Sequence, residues 1–270
     1  MIFQTESVHV AGSADNAKVD YYILNMSDEI KWKNRPMVIV CPGGGYCFVS
    51  DREAEALALK WNSYGYHAAV LYYSVEPARF PTALEELATV VSTVYDRAED
   101  WHVDTDRIFV QGSSAGGHLV ASYGMFWKEE FLQKDLGLAD SAKLNVAGMI
   151  LNYPVITSGE YAHHDSFKCL LGDEYEARKD EMSLEKRVNE NTPPAFIWTT
   201  NEDGLVPAES SLYLALAMRK HNIPVELHMY GHGGHGESLA NEVTNDMGDN
   251  NIVPENQGWI ELAHTWTKGI

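Results

Sequence analysis

Short apolar runs alternate with helical patterns along almost the whole chain, and this alternation limits the fold more than any other feature. Residues 37–41 (MVIVC) are almost wholly apolar, as a strand buried on both faces should be. Residues 51–63 and 81–100 place apolar side chains three and four positions apart, a spacing that predicts helices. Strands and helices that alternate in this way predict an α/β fold with a mostly parallel central sheet and helices on both faces.

The complete predicted series has strands at 19–24, 37–41, 67–73, 107–111, 146–153, 195–200 and 225–230, and helices at 51–63, 81–100, 115–126, 207–220 and 255–267. A chain of 270 residues suits a single α/β domain, which we predict over residues 1–270. Residues 156–191 break the rhythm and contain many charges. They are either a surface excursion of short helices or a cap that shapes a substrate pocket. Because connections of this length are usually functional or disordered, we predict a small cap insertion there.

Charge and cysteine content narrow the classes of partner. The chain has 20 Lys and Arg against 39 Asp and Glu, a net charge of −19, which disfavours nucleic acids and anionic membranes as partners. Residues 1–6 do not resemble a signal peptide, and no window reaches the ~18 apolar residues of a membrane span. The odd number of cysteines (Cys41, Cys47 and Cys169), with no C-x-x-C pair, is typical of reduced thiols. We therefore expect a cytoplasmic protein with reduced cysteines.

The strongest motif is residues 112–116 (GSSAG), which fit the pattern G-x-S-x-G. The motif lies where predicted strand 107–111 meets predicted helix 115–126, and this is the context that the motif requires. Its glycines leave room for a sharp turn that holds the Ser114 hydroxyl above the sheet. The backbone N–H of Ala115 opens the helix and can donate to a developing oxyanion. These features predict that Ser114 is a nucleophile.

A second motif, residues 42–46 (PGGGY), follows the strand at 37–41 directly. Three glycines can present backbone N–H groups without side-chain obstruction, and losing one such donor to a tetrahedral intermediate typically costs about 3–4 kcal/mol. A phosphate-binding loop is disfavoured, because no Lys-Ser/Thr pair follows and the spacing is not G-x-G-x-x-G. The motif therefore favours stabilisation of an oxyanion.

A serine nucleophile needs a histidine base oriented by a carboxylate, in the chain order serine, acid, histidine. Asp203, in the loop after strand 195–200, is the candidate acid, and Glu202 beside it is an alternative. His235, which lies between glycines in the loop after strand 225–230, is the candidate base, and His232 is its alternative. The spacing alone leaves both alternatives open.

These motifs together resemble those of the α/β-hydrolases, in particular bacterial esterases related to acetyl-xylan esterases and the hormone-sensitive-lipase-like branch. The matching segments are residues 42–46, 112–118, 192–196, 203–207 and 233–236. The resemblance implies the α/β-hydrolase fold, with Ser114 as nucleophile, Asp203 as acid and His235 as base.

The resemblance also implies which backbone groups form the oxyanion hole. These are the N–H groups of Gly44, Gly45 and Ala115. One departure from the family pattern is Pro42, where many relatives have a histidine before the three glycines. Any hydrogen bond from that histidine that orders the loop is therefore missing here.

These observations predict a serine carboxylic-ester hydrolase that acts on short-chain acyl esters, with acetylated sugars suggested by the resemblance. The substrate is a small molecule, no cofactor or metal is expected, and a homo-oligomer is left open. The short-chain preference follows from residues 156–191, which are heavily charged and contain no long apolar run. Two alternatives remain: a catalytically silent α/β-hydrolase that serves as a binding or scaffold protein, and a peptidase of the same fold.

Overall fold

A computed structural model describes residues 1–248 and 251–270. Within these residues the centre of the molecule is an eight-stranded sheet with the strand order β1-β2-β4-β3-β5-β6-β7-β8. Its strands are β1 (Ile2–Ser7), β2 (Lys18–Ile23), β3 (Arg35–Cys41), β4 (His67–Tyr72), β5 (Val103–Ser113), β6 (Gly148–Asn152), β7 (Ala195–Thr200) and β8 (Val225–Tyr230). The strands from β4 to β8 in this order pair in parallel, whereas β2 pairs antiparallel with β1 and with β4. The predicted mostly parallel α/β sheet is confirmed.

Helices follow most of the parallel strands, as the sequence pattern predicts. They are α1 (Glu55–Ser63), α2 (Thr82–Asp96), α3 (Ala98–Trp101), α4 (Ala115–Phe126), α5 (Glu130–Asp135), α6 (His164–Leu171), α7 (Tyr175–Arg178), α8 (Glu209–Lys220) and α9 (Trp259–Thr267). Short 3-10 turns lie at Asp51–Glu53, Ala142–Leu144, Gly172–Glu174 and Leu184–Lys186. Among the described residues, no helix has both the length and the apolar composition that crossing a membrane requires.

The core lies on both faces of the sheet. Strands β3, β6 and β7 are buried along their whole length, and two apolar clusters fill the layers between the sheet and the helices. Strand order reverses around β3, which lies between β4 and β5. Ligands of open α/β sheets bind outside the carboxyl ends of the strands near such a reversal. The loops that follow β3, β5, β7 and β8 therefore lie where a ligand site is expected.

Two elements are absent from the sequence prediction. Strand β1 is an exposed edge strand, so its side chains show little of the burial that produces a clear apolar pattern. Helix α5 has six residues, one of them buried, and is too short to produce a 3.6-residue period. The predicted helix at 81–100 ends earlier than expected, because residue Arg97 separates α2 from α3.

Residues 156–191 join β6 to β7 through α6, α7 and two short 3-10 turns. We call these residues the 156–191 segment. Apolar side chains anchor it to the main core, namely Phe167, Leu170, Leu171, Met182, Leu184 and Val188. Its charged side chains form exposed ion pairs, such as Arg178 with Glu174 and Lys186 with Asp180. The charged side chains of the segment therefore lie on its outer, solvent-exposed surface.

The expectation of three reduced cysteines is wrong in the structure. Cys47, in the loop after β3, and Cys169, on α6, form a disulfide with their Cα atoms 6.0 Å apart. The two residues are 122 positions apart in sequence, and packing of α6 beside the loop brings them together. No local spacing could indicate this pairing. Cys41 is the free cysteine of the described residues and is buried, as a small hydrophobic residue usually is.

Candidate active site

Ser114 lies at the sharp turn between β5 and α4, in a strained backbone conformation. Its φ is 55° and its ψ is −118°, a region that residues with a side chain rarely adopt. A Cβ on Gly112 would collide with the Gly116 carbonyl, and one on Gly116 would collide with the Cys41 carbonyl. Both glycines of the motif are therefore required sterically. Ser114 is largely buried but keeps 8% exposure, so its hydroxyl can be reached from the carboxyl end of the sheet.

The structure brings Ser114, His235 and Asp203 into one hydrogen-bonded chain. His235 Nε2 lies 2.7 Å from Ser114 Oγ, and His235 Nδ1 lies 2.6 Å from Asp203 Oδ2. The second oxygen of Asp203 accepts the amides of Leu205 and Val206, each at 2.9 Å. Because a carboxylate only accepts hydrogen bonds, Nδ1 of His235 is protonated and donates. Its Nε2 is then free to accept the proton of the Ser114 hydroxyl.

The two alternatives that the spacing left open lie elsewhere. Glu202 and His232 pair with each other at the surface, with His232 Nδ1 3.1 Å from Glu202 Oε1. Ser113, the other serine of the motif, is buried, and its Oγ accepts a hydrogen bond from Asn152 Nδ2 at 3.0 Å. Neither Glu202 nor His232 hydrogen-bonds to Ser114, so geometry favours Asp203 and His235.

Residues from two elements place backbone amides near Ser114. Gly44 and Gly45 follow β3, adopt φ values of 129° and 67°, and line the same cleft as Ser114 and His235. Ala115 begins helix α4, where the first amides have no partner within the helix. Among the hydrogen bonds of residues 1–248 and 251–270, none uses the amides of Gly44, Gly45 or Ala115. These three amides therefore remain the candidate donors to an oxyanion.

The cleft that opens above Ser114 has a volume of ≈ 510 Å³. Two apolar side chains lie at its mouth. They are Phe48, from the loop 42–48 after β3, which we call the glycine-rich loop, and Leu205, from the loop after β7, and they are 62% and 51% exposed. His163, from the 156–191 segment, also lines it. Such a volume suits a small molecule, and its walls combine apolar side chains with a few polar groups.

Burial lowers the pKa values of two histidines near the cleft, which favours their neutral forms. Burial, and then the neighbouring His235, lower the pKa of His163, whose Nδ1 lies 2.7 Å from Ser166 Oγ. Burial lowers the pKa of His118 to about 4. Since its Nε2 faces the Met182 carbonyl at 3.0 Å and must donate, its Nδ1 accepts from the Tyr46 hydroxyl. His118 thus connects the glycine-rich loop to the 156–191 segment.

One group of potential metal ligands is present among the described residues. The ligand atoms of Cys47, Glu76 and Cys169 lie within 4.8 Å of one another. Metals bind thiolates, and the two sulfurs are joined in the disulfide, which leaves Glu76 as the one carboxylate. This group does not form a ligand set for a metal ion.

Sequence reasoning missed three residues that hold the site together: Arg52, Glu53 and Tyr153. Glu53 accepts the Gly43 amide and the Tyr153 hydroxyl, and Arg52 donates to the Gly236 carbonyl. Arg52 and Glu53 fall inside a helical pattern and Tyr153 at the end of a strand, so nothing in their local sequence distinguishes them. Their side chains reach residues 10 to 184 positions away.

Residues 24–218 match the model of the BD-FAE family. Endo-1,4-beta-xylanase B of Butyrivibrio fibrisolvens is 34% identical over 221 residues, which are 80% of this chain and 34% of that protein. Among solved structures, an acetyl ester-xyloside bifunctional hydrolase from Caldicellulosiruptor lactoaceticus has a TM-score of 0.81 and 33% identity, covering 94% of this chain and 88% of the other. A carboxylesterase from Lactobacillus plantarum has a TM-score of 0.86 and 29% identity, covering 100% and 98%.

The chain spans between 34% and 50% of the length of three curated relatives that it matches. The family match, by contrast, covers most of the sheet, the 156–191 segment, Ser114 and Asp203. The structural matches extend over nearly the whole of both chains. The chain therefore belongs to the BD-FAE family and has the α/β-hydrolase fold of the esterases that it matches.

Proposed function

We propose that this protein is a serine carboxylic-ester hydrolase that forms an acyl-enzyme on Ser114. The observation that supports this best is the pair of hydrogen bonds from Ser114 Oγ to His235 Nε2 and from His235 Nδ1 to Asp203 Oδ2, at 2.7 and 2.6 Å. A nucleophile within reach of a base that a third group orients is the recurrent arrangement of acyl transfer. Esterases and carboxylesterases among the matched proteins give independent support.

In the proposed reaction the ester binds in the cleft with its carbonyl carbon beside Ser114 Oγ. His235 Nε2 takes the hydroxyl proton as Oγ attacks, and the carbonyl oxygen becomes an oxyanion. His235 then gives the proton to the departing alkoxide, which leaves as the alcohol. Water attacks the acyl-enzyme with His235 again as base, and this step releases the acid and restores Ser114. Asp203 orients the imidazole and stabilises its charged form throughout.

The amides of Gly44, Gly45 and Ala115 are the proposed donors to the oxyanion. Their N–H groups have no other acceptor within the described part of the chain, and all three residues lie beside Ser114. Fixed backbone dipoles of this kind require no reorganisation when charge develops, and one such donor typically contributes a factor of about 10²–10³ in turnover.

We further propose that the 156–191 segment is a cap and that the acyl group is short, most simply acetyl. Helix α6 approaches the glycine-rich loop so closely that a Cβ on Gly45 would lie 3.7 Å from Ser166 Oγ. The Cys47–Cys169 disulfide joins the two elements on the same side of the cleft. A long acyl chain needs a continuous dry apolar wall, because each buried methylene contributes only ~0.8 kcal/mol.

Acetylated sugars are the proposed class of substrate. The bifunctional structural relative is described as an acetyl ester-xyloside hydrolase, and a curated relative is an acetylxylan esterase. A hydrolysis panel tests this choice of substrate. It compares acetylated xylo-oligosaccharides with simple aryl acetates at equal concentration, and a higher kcat/KM for the sugars is the expected outcome. Equal values would assign the protein to general short-chain esterases.

Covalent labelling with a fluorophosphonate probe tests the proposed mechanism. We expect stoichiometric labelling of the wild-type protein, with mass spectrometry locating the adduct on Ser114, and no labelling of Ser114→Ala. Ser113→Ala is the matched control and should label like the wild type. A wild-type protein that stays unlabelled would indicate the silent binding protein instead. Labelling together with cleavage of peptides but not of esters would indicate the peptidase.

A further inference from the structure

Glu53 is a buried acid whose two carboxylate oxygens face different parts of the site. It is 3% exposed and ends the 3-10 turn Asp51–Glu53. Its Oε2 accepts the Gly43 amide at 2.8 Å, and its Oε1 accepts the Tyr153 hydroxyl at 2.6 Å. Burying a carboxylate is costly unless hydrogen bonds compensate it, so these two bonds are strongly constrained.

The first of these bonds acts on the glycine-rich loop. Gly43 precedes Gly44 and Gly45, two of the three proposed oxyanion donors, and it lies between Glu53 and the nucleophile. A Cβ on Gly43 would lie 2.6 Å from Glu53 Oε2 and 3.0 Å from Ser114 Cβ. Pro42 offers no side-chain donor to order this loop. Glu53 therefore supplies a buried side-chain hydrogen bond to this loop at Gly43, beside the bonds that Tyr73 donates to Pro42 and Ser50 donates to the Gly43 carbonyl.

The second bond acts on the loop that contains His235. The Tyr153 hydroxyl donates to Glu53 and accepts the Ser238 amide at 3.0 Å. The ring of Tyr153 packs edge-to-face against the His235 imidazole, with centroids 5.1 Å apart and planes at 69°. Burial, and then the neighbouring Glu53, raise the pKa of Tyr153 well above its ordinary value, so the phenol keeps its proton and donates.

Arg52, the neighbour of Glu53, holds the same loop from the other side. Its Nη1 donates to the Gly236 carbonyl at 3.0 Å, and its own carbonyl accepts the Ser238 hydroxyl at 2.8 Å. The turn Asp51–Glu53 thus contacts both residue 236 and residue 238. One short element joins the loop of the oxyanion donors to the loop of the base.

We propose that Glu53 is a positioning residue that, through Gly43 and Tyr153, sets the oxyanion donors and the His235 ring in register with Ser114. This inference rests on the proposed esterase function. A carboxylate accepts from both partners at once. An amide at this position accepts from one partner and presents N–H groups to the other, so it cannot satisfy both. Glu53→Gln keeps the size of the side chain and breaks this double acceptance.

Steady-state hydrolysis of p-nitrophenyl acetate, with thermal unfolding of each protein, tests the proposal. We expect Glu53→Gln to lower kcat by about 10- to 100-fold, with KM changed by less than about threefold, because transition-state donors are displaced. Tyr153→Phe keeps the ring against His235, removes the hydroxyl and should lower kcat by about tenfold. The double variant should lose little more than Glu53→Gln, since both changes break one network.

Glu86→Gln is the matched control for burying an amide in place of a buried, hydrogen-bonded carboxylate. Glu86 accepts from Ser13 and Ser74 and lies outside the cleft, so this variant should lose stability and keep its kcat. A kcat for Glu53→Gln within twofold of wild type, with a fall in Tm like that of Glu86→Gln, would assign Glu53 a structural role only. If Glu53→Gln does not fold, an unchanged kcat in Tyr153→Phe overturns the proposal. A wild-type protein without esterase activity or fluorophosphonate labelling would overturn the proposed function as well.

Discussion

Different interactions hold the two sides of the cleft in place. On the sheet side, Ser114, Asp203 and His235 lie at strand ends, and direct hydrogen bonds link Ser114 to His235 and His235 to Asp203. On the other side, the 156–191 segment is attached by apolar side chains and one disulfide, and its charges pair in solvent. Under the proposed function, this contrast predicts that the chemistry depends on the sheet side and that the segment affects the choice of substrate.

The largest difference between the two sides is expected when the proposed nucleophile on the sheet side is removed. We expect Ser114→Ala to lower turnover of p-nitrophenyl acetate by on the order of a millionfold, the typical loss for a triad nucleophile. The fold should remain, because the Ser114 hydroxyl has His235 as its partner and no structural bond depends on it. Activity within about tenfold of wild type, with an unchanged circular dichroism spectrum, would remove Ser114 from the mechanism.

The next largest effect is expected from the acid and the base. Asp203→Asn and His235→Ala should each lower kcat by about 10⁴-fold, since the imidazole loses its orientation or is absent. Glu202→Gln and His232→Ala are matched controls one and three positions away, and they should retain most activity because that pair lies at the surface. A larger loss in Glu202→Gln than in Asp203→Asn would mean that the acid is the neighbouring residue.

The candidate catalytic residues also show how much of the site can be predicted from the sequence. Ser114, Asp203 and His235 were identifiable because each follows a strand whose β pattern is local, although β8, before His235, is only partly buried. Parallel strands place their ends along one edge of the sheet. The contacts of Glu53 and Tyr153 depend on side chains 100 positions apart, and the disulfide on residues 122 positions apart. Such contacts arise from tertiary packing, so no spacing indicates them. The roles of the three predicted residues remain predictions until the variants are measured.

The proposed role of the 156–191 segment is tested by measuring how kcat/KM depends on the length of the acyl chain. We expect kcat/KM to fall by about 10²-fold or more from p-nitrophenyl butyrate to palmitate, because the charged segment lacks a continuous apolar wall to replace water around each methylene. Acetate, butyrate, octanoate and palmitate esters form the series. A rise from butyrate to palmitate would mean that the segment encloses an acyl tunnel, and its proposed role would be wrong.

Removing the disulfide tests whether the attachment of the 156–191 segment affects stability more than it affects turnover. Replacing both Cys47 and Cys169 by serine should lower the free energy of unfolding by roughly 2–4 kcal/mol, as expected for a crosslink that closes a long loop. Turnover should change by less than about tenfold, since neither sulfur contacts Ser114, Asp203 or His235. Thermal unfolding and kcat, measured on protein purified without reductant, check both values.

Counting thiols in the unfolded wild-type protein provides the control for this experiment. One reactive thiol, that of Cys41, is expected if the bond is present, because Cys47 and Cys169 form the pair. Three reactive thiols would show that the two cysteines are reduced in the isolated protein. An equal Tm for the wild type and the double variant would likewise contradict a stabilising crosslink between the segment and the glycine-rich loop.

The smallest expected effect concerns Glu237 on the sheet side, whose pKa shifts in the opposite direction from those of two carboxylates in the 156–191 segment. Hydrogen bonds from Lys168 and Lys186 lower the pKa values of Asp165 and Asp180 in the exposed segment. On the sheet side, burial raises the pKa of Glu237, two residues after His235, from 4.5 to about 7. Its Oε2 accepts a hydrogen bond from Asn256 Nδ2 at 2.7 Å.

The raised pKa of Glu237 makes stability fall as pH rises. Between pH 4.5 and about 7 the folded protein holds a proton on Glu237 that the unfolded chain has released, so this contribution is present at low pH and lost above about 7. Glu237→Gln keeps an acceptor for Asn256 and cannot ionise. We therefore expect the Tm of this variant minus that of the wild type to increase by a few degrees from pH 5 to pH 8. Taking the difference cancels the other buried groups that titrate, such as Glu85 and His118. A difference that stays constant with pH would mean that Glu237 does not change its protonation on folding.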